Sequence, residues 1–152
     1  MSTAIIILTL DEVDGVKAIV PGIKKEWAEE IFFVDGGSTD GTIEEAERLG
    51  YKVIRQHNKG EGNAFRVGVE NTKAENIMFF SPDGNDEVIE IPKLIKKIDE
   101  GYDIVHISRF GKDSESEDAG IIDRFGNRMF TFLVNVAFGG KYSDALNGFR
   151  II

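Results

Sequence analysis

The chain has 152 residues, 41% of them hydrophobic and 30% charged, with a formal net charge of −9. This length fits one domain with a substantial core, and the negative charge argues against a nucleic-acid-binding protein, which needs a basic surface to neutralise phosphates. There is no cysteine, which excludes disulfides and thiolate metal sites and fits a cytoplasmic location.

Short apolar runs alternate with amphipathic segments along the first two thirds of the chain. The first run has no basic residues before it and is followed at once by Asp11 and Glu12, so it predicts a strand and not a signal peptide. We predict five strands, at residues 3–10, 31–34, 51–55, 76–80 and 102–107. We predict helices from residue 13 to a break at Pro21-Gly22, around 24–29, and at 42–49, 64–71 and 91–100. This alternation predicts an α/β fold with a mostly parallel sheet flanked by helices in three layers.

The last third of the chain is less regular. Residues 111–120 are small and acidic, and we expect a loop that is mobile without ligand. Residues 121–138 carry apolar side chains at helical spacing, which favours an amphipathic helix packed on the sheet over a helix at a membrane surface. The chain stops on an apolar run, so we expect residues 1–152 to be one domain, the N-terminal part of a longer protein truncated near residue 152.

Polar side chains follow each of the five predicted strands. They are Asp11-Glu12, Asp35, Asn58-Lys59, Asp83 with Asn85, and Ser108-Arg109. Because ligands of open α/β sheets bind beyond the carboxyl ends of the strands, five such endings favour a binding site over strand–turn–helix joints without a ligand. Carboxylates suit base recognition and Mg²⁺ or Mn²⁺, and Lys59 and Arg109 suit a diphosphate.

Residues 34–42, VDGGSTDGT, closely resemble the VDDGSTDGT signature of family 2 glycosyltransferases, which have the GT-A fold, a Rossmann-like sheet. Other family motifs follow in order along the chain. LTLDE at 8–12 takes the place of P-x-Y-N-E, NKGEGNA at 58–64 of N-x-G-x-x-x-A, SPDGN at 81–85 of D-A-D-G/L-Q, SR at 108–109 of G-S-R, and SDALNGFR at 143–150 of D-x-x-S-G-F-R. The whole set resembles the dolichol- or polyprenyl-phosphate sugar synthase branch.

The resemblance implies an inverting glycosyltransferase that moves a sugar from a UDP- or GDP-linked donor to an acceptor, with Mg²⁺ or Mn²⁺ as cofactor. A polyprenyl phosphate is the acceptor that the branch suggests, which would place the protein at the cytoplasmic face of a membrane through a missing C-terminal part. The metal would lie on Asp83, and Asp144 would be on the acceptor side, as catalytic base where the acceptor is a hydroxyl. The donor would be bound by Leu10, Glu12, Asp35, Lys59, Gly60, Ser81, Asn85 and Arg109, with Glu12 and Asp35 at the base and Arg109 at phosphate.

Several positions depart from the family pattern. Gly36 replaces the second aspartate of the signature, Ser81 replaces the first acid of D-x-D, and Leu10 replaces a tyrosine. These departures keep a second hypothesis open, a non-catalytic domain that binds nucleotide sugars.

Overall fold

The structure is a computed structural model that describes residues 1–107, 121–139 and 149–152. The chain divides into two compact units, one of Met1–Val105 with Phe149–Ile152 and one of His106–Gly148. The expected mobile loop at 111–120 lies outside the described residues, and so do Arg109 and Asp144.

A six-stranded sheet organises the first unit. Its strands are β1 (Thr3–Thr9), β2 (Glu30–Asp35), β3 (Lys52–Arg55), β4 (Asn76–Phe80), β5 (Val105–His106) and β6 (Arg150–Ile151). Their order is β3-β2-β1-β4-β6-β5. The strands β1 to β4 pair in parallel, and β6 runs antiparallel to β4. The predicted α/β class with a mostly parallel sheet is therefore confirmed.

The centre of the sheet is apolar on both faces, as expected for parallel strands covered by helices. Ile5, Ile6 and Ile7 of β1 are fully buried, so successive residues of the strand feed both layers of the core. One of these layers is formed by Ile6, Phe32, Val34, Ala64 and Phe79, with Leu8, Ile54, Phe65, Val67 and Ile77 packed against it.

The helices lie close to their predicted positions. They are α1 (Val13–Ile19), α2 (Thr42–Arg48), α3 (Glu61–Glu70), α4 (Ile91–Ile98) and α5 (Ile121–Phe138), with 3₁₀ turns at Val20–Gly22, Lys25–Trp27 and Val88–Glu90. α1 ends at the predicted Pro21-Gly22 break. α3 begins three residues before its predicted start, directly after Gly60, whose φ of 105° marks the turn into the helix.

Two strand predictions need correction. The predicted strand at 102–107 is reduced to Val105–His106, and Tyr102 and Asp103 before it are exposed. β6 was not predicted. Its two residues pair with Met78 and Phe79, and the Phe149 ring packs edge-on against Phe80 at 5.4 Å between centroids.

The second unit contains α5, which has its predicted bounds. Asn127 and Thr131 on this helix are buried and joined by a 3.3 Å hydrogen bond from the Thr131 hydroxyl. Phe132 and Val136 are exposed. In the described ranges, no helix combines the length and the apolar character needed to cross a bilayer.

Candidate nucleotide-sugar site

The last residue of β2, Asp35, is fully buried and holds the loop that follows it. Its Oδ1 accepts the backbone N–H groups of Gly37 and Ser38, both at 2.8 Å. Its Oδ2 accepts the hydroxyls of Thr9, at 2.9 Å, and Ser38, at 2.6 Å. An ionised carboxylate has about four acceptor positions. All of them are taken, so Asp35 could accept a hydrogen bond from a base only if this loop rearranged.

The loop after β1 and the loop after β2 are tied together. Four hydrogen bonds of 2.8 to 3.0 Å join them: Asp11 N–H to Ser38 Oγ, Glu12 N–H to Thr42 Oγ1, Val13 N–H to Asp40 Oδ2, and Thr39 N–H to Asp11 Oδ1. Asp11 has a φ of 55°, an uncommon value outside glycine, and bonds at both its N–H and its carboxylate hold it there. The two loops therefore form one rigid wall of the site.

Leu10 and Gly36 meet at the same edge of the sheet. A Cβ placed on Gly36 would stand 3.1 Å from Cδ1 and 3.3 Å from Cβ of Leu10. The Leu10 side chain is 59% exposed, so it presents an apolar surface to solvent beside the glycine. The structure thus places the predicted Leu10 beside the position where the family signature has its second acid.

The loop after β4 carries Ser81, Asp83 and Asn85. The Ser81 N–H donates to Asp86 Oδ2 at 2.9 Å, and the Asn85 N–H donates to Asp83 Oδ1 at 2.9 Å. Asp83 is exposed, and one accepted hydrogen bond leaves most of its acceptor positions open. This side chain is therefore available to a ligand.

Glu12, at the start of α1, lies in an electronegative environment. Burial raises its pKa, and the negative charges of Asp83, Asp40 and Asp11 raise it further. Asp83 is the largest of these charge effects, which indicates that the loops after β1 and β4 present their acids to one region. Such a region attracts a cation.

The described residues offer this cation few ligands of their own. No group of three or more His, Asp or Glu side chains within the described ranges could hold a metal ion. Mg²⁺ typically binds through one or two carboxylates plus substrate phosphates and water. Asp83 therefore fits a divalent ion that is held jointly by the protein and a diphosphate.

Lys59 and Gly60 lie beyond the end of β3, and both are exposed just before α3. The Asn63 side chain donates to the Asn58 carbonyl at 3.0 Å and closes this loop. The described part of the site thus brings together the ends of β1, β2 and β3, which are neighbours in the sheet, and the end of β4, which is paired with β1.

Two residues at this edge were missed in the sequence. Thr9 anchors the Asp35 carboxylate through its hydroxyl. Gln56, directly after β3, bonds through its N–H to the Asp35 carbonyl at 3.0 Å. The only sequence signal for either is its place at the end of a strand, next to a residue that was singled out.

Comparison with known proteins identifies the family. The profile of Glycosyl transferase family 2 matches residues 4–152. Glycosyltransferase AglJ of Haloferax volcanii is 32% identical over 143 residues, covering 93% of this chain and 47% of the relative. The Dolichyl-phosphate hexose transferase of the same organism is 28% identical over 149 residues, covering 97% and 64%. The chain thus spans about half to two thirds of the length of these curated relatives.

Solved structures support the same fold. The glucosyl-3-phosphoglycerate synthase of Mycobacterium tuberculosis in complex with UDP superposes with a TM-score of 0.78 at 19% identity, covering 99% of this chain and 56% of that one. The same enzyme has been solved with Mn²⁺, UDP-glucose and phosphoglyceric acid, with a TM-score of 0.76. The predicted GT-A fold is therefore confirmed, and the match to the family profile over nearly the whole chain shows that this protein belongs to glycosyl transferase family 2.

Proposed function

We propose that this chain is the donor-binding domain of an inverting glycosyltransferase that takes a sugar from a nucleotide-diphosphate sugar. The observation that carries the proposal is the convergence of four strand ends, which together present an apolar surface, an exposed carboxylate and a lysine at one edge of the sheet. A base, a metal-bound diphosphate and a phosphate charge are the three parts of such a donor that these groups match.

Each part of the donor has a counterpart among the predicted residues. The nucleoside lies against the rigid loops after β1 and β2, where Leu10 and Glu12 are held. The diphosphate lies toward Lys59 and Gly60 on one side and the loop with Ser81 and Asn85 on the other. Asp35 supports this arrangement through the loop that it organises, and Arg109 adds a second cation for the phosphates.

Asp83 would hold a divalent ion, Mg²⁺ or Mn²⁺, together with the donor diphosphate. When bound, that ion stabilises the negative charge that develops on the leaving nucleoside diphosphate. The chain's own acids cannot supply this, because Glu12 and Asp83 add negative charge to the region. The family relative solved with Mn²⁺ and UDP-glucose supports the same division of roles.

The acceptor oxygen attacks the anomeric carbon of the donor sugar as the bond from that carbon to the diphosphate oxygen breaks. A polyprenyl phosphate is the acceptor we favour, because a relative with 28% identity is a dolichyl-phosphate hexose transferase. Such a phosphate is already ionised near neutral pH and needs no general base. For a hydroxyl acceptor, Asp144 is the residue we assign to remove its proton.

An assay of sugar transfer tests the proposal. The chain is incubated with UDP- or GDP-linked radiolabelled sugars, polyprenyl phosphate and Mn²⁺, and the labelled lipid is counted. We expect a labelled lipid product whose yield falls at least about a hundredfold in Asp83→Asn, as for loss of one electrostatic stabiliser of a transition state. Asp99→Asn, at the exposed end of α4, is the matched control and keeps full yield.

A second candidate function is binding without transfer. It is favoured by Gly36 and Ser81, where the family pattern has acids. This alternative predicts that the chain binds nucleotide sugars but releases no nucleoside diphosphate with any acceptor. Transfer that depends on Asp83 excludes it.

A further inference from the structure

Three residues form a row across the edge of the sheet on one face. In the strand register, Leu8 is opposite Val34, and Val34 is opposite Ile54, and all three belong to the core layer that contains Ala64 of α3. Side chains alternate between faces along a strand, so residues two positions further on return to the same face. These residues are Leu10, Gly36 and Gln56, which we call the edge row.

Backbone hydrogen bonds show that the strand pairing continues into the edge row. The Gly36 N–H donates to the Thr9 carbonyl at 2.8 Å, and the Gln56 N–H donates to the Asp35 carbonyl at 3.0 Å. The close approach of Leu10 to the Cβ position of Gly36 agrees with this alignment. The centre of the row therefore has no side chain, and Leu10 and Gln56 lie on its two sides.

Gln56 carries an unexplained polar atom. Its side-chain Oε1 is buried and has no hydrogen-bond partner in the part of the chain that the structure describes. A buried polar atom without a partner is costly and is rare in native proteins, and a missing ligand is one of its standard explanations.

Neighbouring groups cannot provide directional recognition of a base in its place. All acceptor positions of Asp35 are taken within its own loop, Gly36 has no side chain, and Leu10 is apolar. An amide carries a donor and an acceptor side by side. This pair is complementary to an N–H next to a C=O, the edge that uracil and guanine have in common.

We propose that Gln56 is the base-reading residue of this chain, and that the base of the donor lies over Gly36 against Leu10. The inference rests on the proposed function and assigns its specificity to an amide in the edge row. A carboxylate at position 36 would accept only, whereas the Gln56 amide both accepts the base N–H and donates to the adjacent carbonyl.

The test compares wild type with Gln56→Met, which keeps the length of the side chain and removes its hydrogen bonds. Calorimetry measures the binding of UDP and GDP with Mn²⁺, and of pyrophosphate with Mn²⁺ as a ligand without a base. We expect the affinity of Gln56→Met for both nucleotides to fall at least about tenfold, equivalent to about 1.4 kcal/mol, with pyrophosphate binding unchanged. Lys52→Met, at the exposed start of β3, is the matched control and binds all three ligands as wild type does.

Thermal unfolding of the free chain separates recognition from a structural role. Since Gln56→Met removes a buried oxygen without a partner, its Tm should equal or exceed that of wild type. A lower Tm, or a parallel loss of pyrophosphate affinity, would show a structural role and overturn the inference. Unchanged nucleotide affinity in the variant would overturn it while leaving the proposed function intact, whereas a wild type that binds neither UDP nor GDP would reject both.

Discussion

Gly15 of α1 lies directly against the backbone carbonyl of Pro82, so that a Cβ on the glycine would stand 1.9 Å from that oxygen. Pro82 lies between Ser81 and Asp83 in the loop that follows β4, and it is buried. The absence of a side chain at position 15 therefore lets α1 support the loop that carries the proposed metal ligand. This contact links helix packing to the geometry of the site.

Gly15→Ala should destabilise the protein and displace the loop after β4. The clash is with backbone, which cannot rotate away, so we expect a net loss of about 1–3 kcal/mol, typical of overpacking, despite the better helix propensity of alanine. Urea denaturation measures the change. Gly62→Ala in α3 is the control, because a Cβ there meets nothing within 4 Å, and it should be neutral or stabilising by up to about 1 kcal/mol. Equal stability of Gly15→Ala and wild type would show that the loop moves freely.

Asp35→Asn should weaken both folding and donor binding. The amide nitrogen of asparagine would face donors that now serve a buried carboxylate, so we expect a loss of about 2–4 kcal/mol from this hydrogen-bonded network. Urea denaturation and UDP titration measure the two effects. Their joint loss distinguishes Asp35 from Gln56, whose substitution should affect binding alone. A stable Asp35→Asn variant that has lost only nucleotide affinity would instead indicate that Asp35 contacts the base.

Glu12→Gln should raise the stability of the free protein near neutral pH. The folded state raises the pKa of Glu12, so the stability that its protonated form provides is complete below the unfolded pKa and is lost as pH rises through the folded value. Neutral glutamine avoids this loss. The Tm difference between variant and wild type should therefore be largest at pH 7 and vanish below about pH 4, under the ordinary glutamate pKa of about 4.3. Glu47→Gln, exposed on α2, is the control, and a pH-independent difference for Glu12→Gln would contradict this account.

Metal and nucleotide should bind to the chain cooperatively. Because the described residues contain no preformed cluster of metal ligands, we expect weak Mn²⁺ binding alone and at least about tenfold tighter UDP binding with Mn²⁺, a coupling that must be reciprocal. Asp83→Asn should remove the coupling. Calorimetric titrations with and without EDTA measure it. UDP binding that is equally tight in EDTA would show that Asp83 holds no metal.

The sequence was sufficient for the elements whose signals are local. β4 and α5 have the predicted bounds, because an apolar run and a long helical periodicity are properties of the segments themselves. β6 escaped prediction because a two-residue strand gains its character from pairing with β4, more than 70 positions away. The short β5 shows the converse, since apolar residues alone do not make a strand without a partner along their full length.

The site was predictable in its location but not in its division of roles. An acid at the end of β2 marks the edge of the sheet, yet the Gly37 turn, with its φ of 103°, directs two N–H groups onto that acid and converts it into a loop anchor. Gln56 gave no signal in the sequence, because its place in the edge row depends on the register of three strands. Which oxygen faces a ligand is decided by backbone geometry that residue types do not encode individually.

The central claim is that a nucleotide-diphosphate sugar binds at the carboxyl-end edge of the sheet, and amide chemical-shift mapping tests it most directly. The ¹⁵N-labelled chain is titrated with UDP-glucose or a GDP-linked sugar in the presence of Mg²⁺. We predict saturable shifts at the amides of Gly36, Gln56 and Asp83, with Trp27 near the start of β2 unchanged. Shifts confined to the Trp27 side of the sheet, or no shifts with either sugar nucleotide, would contradict the account.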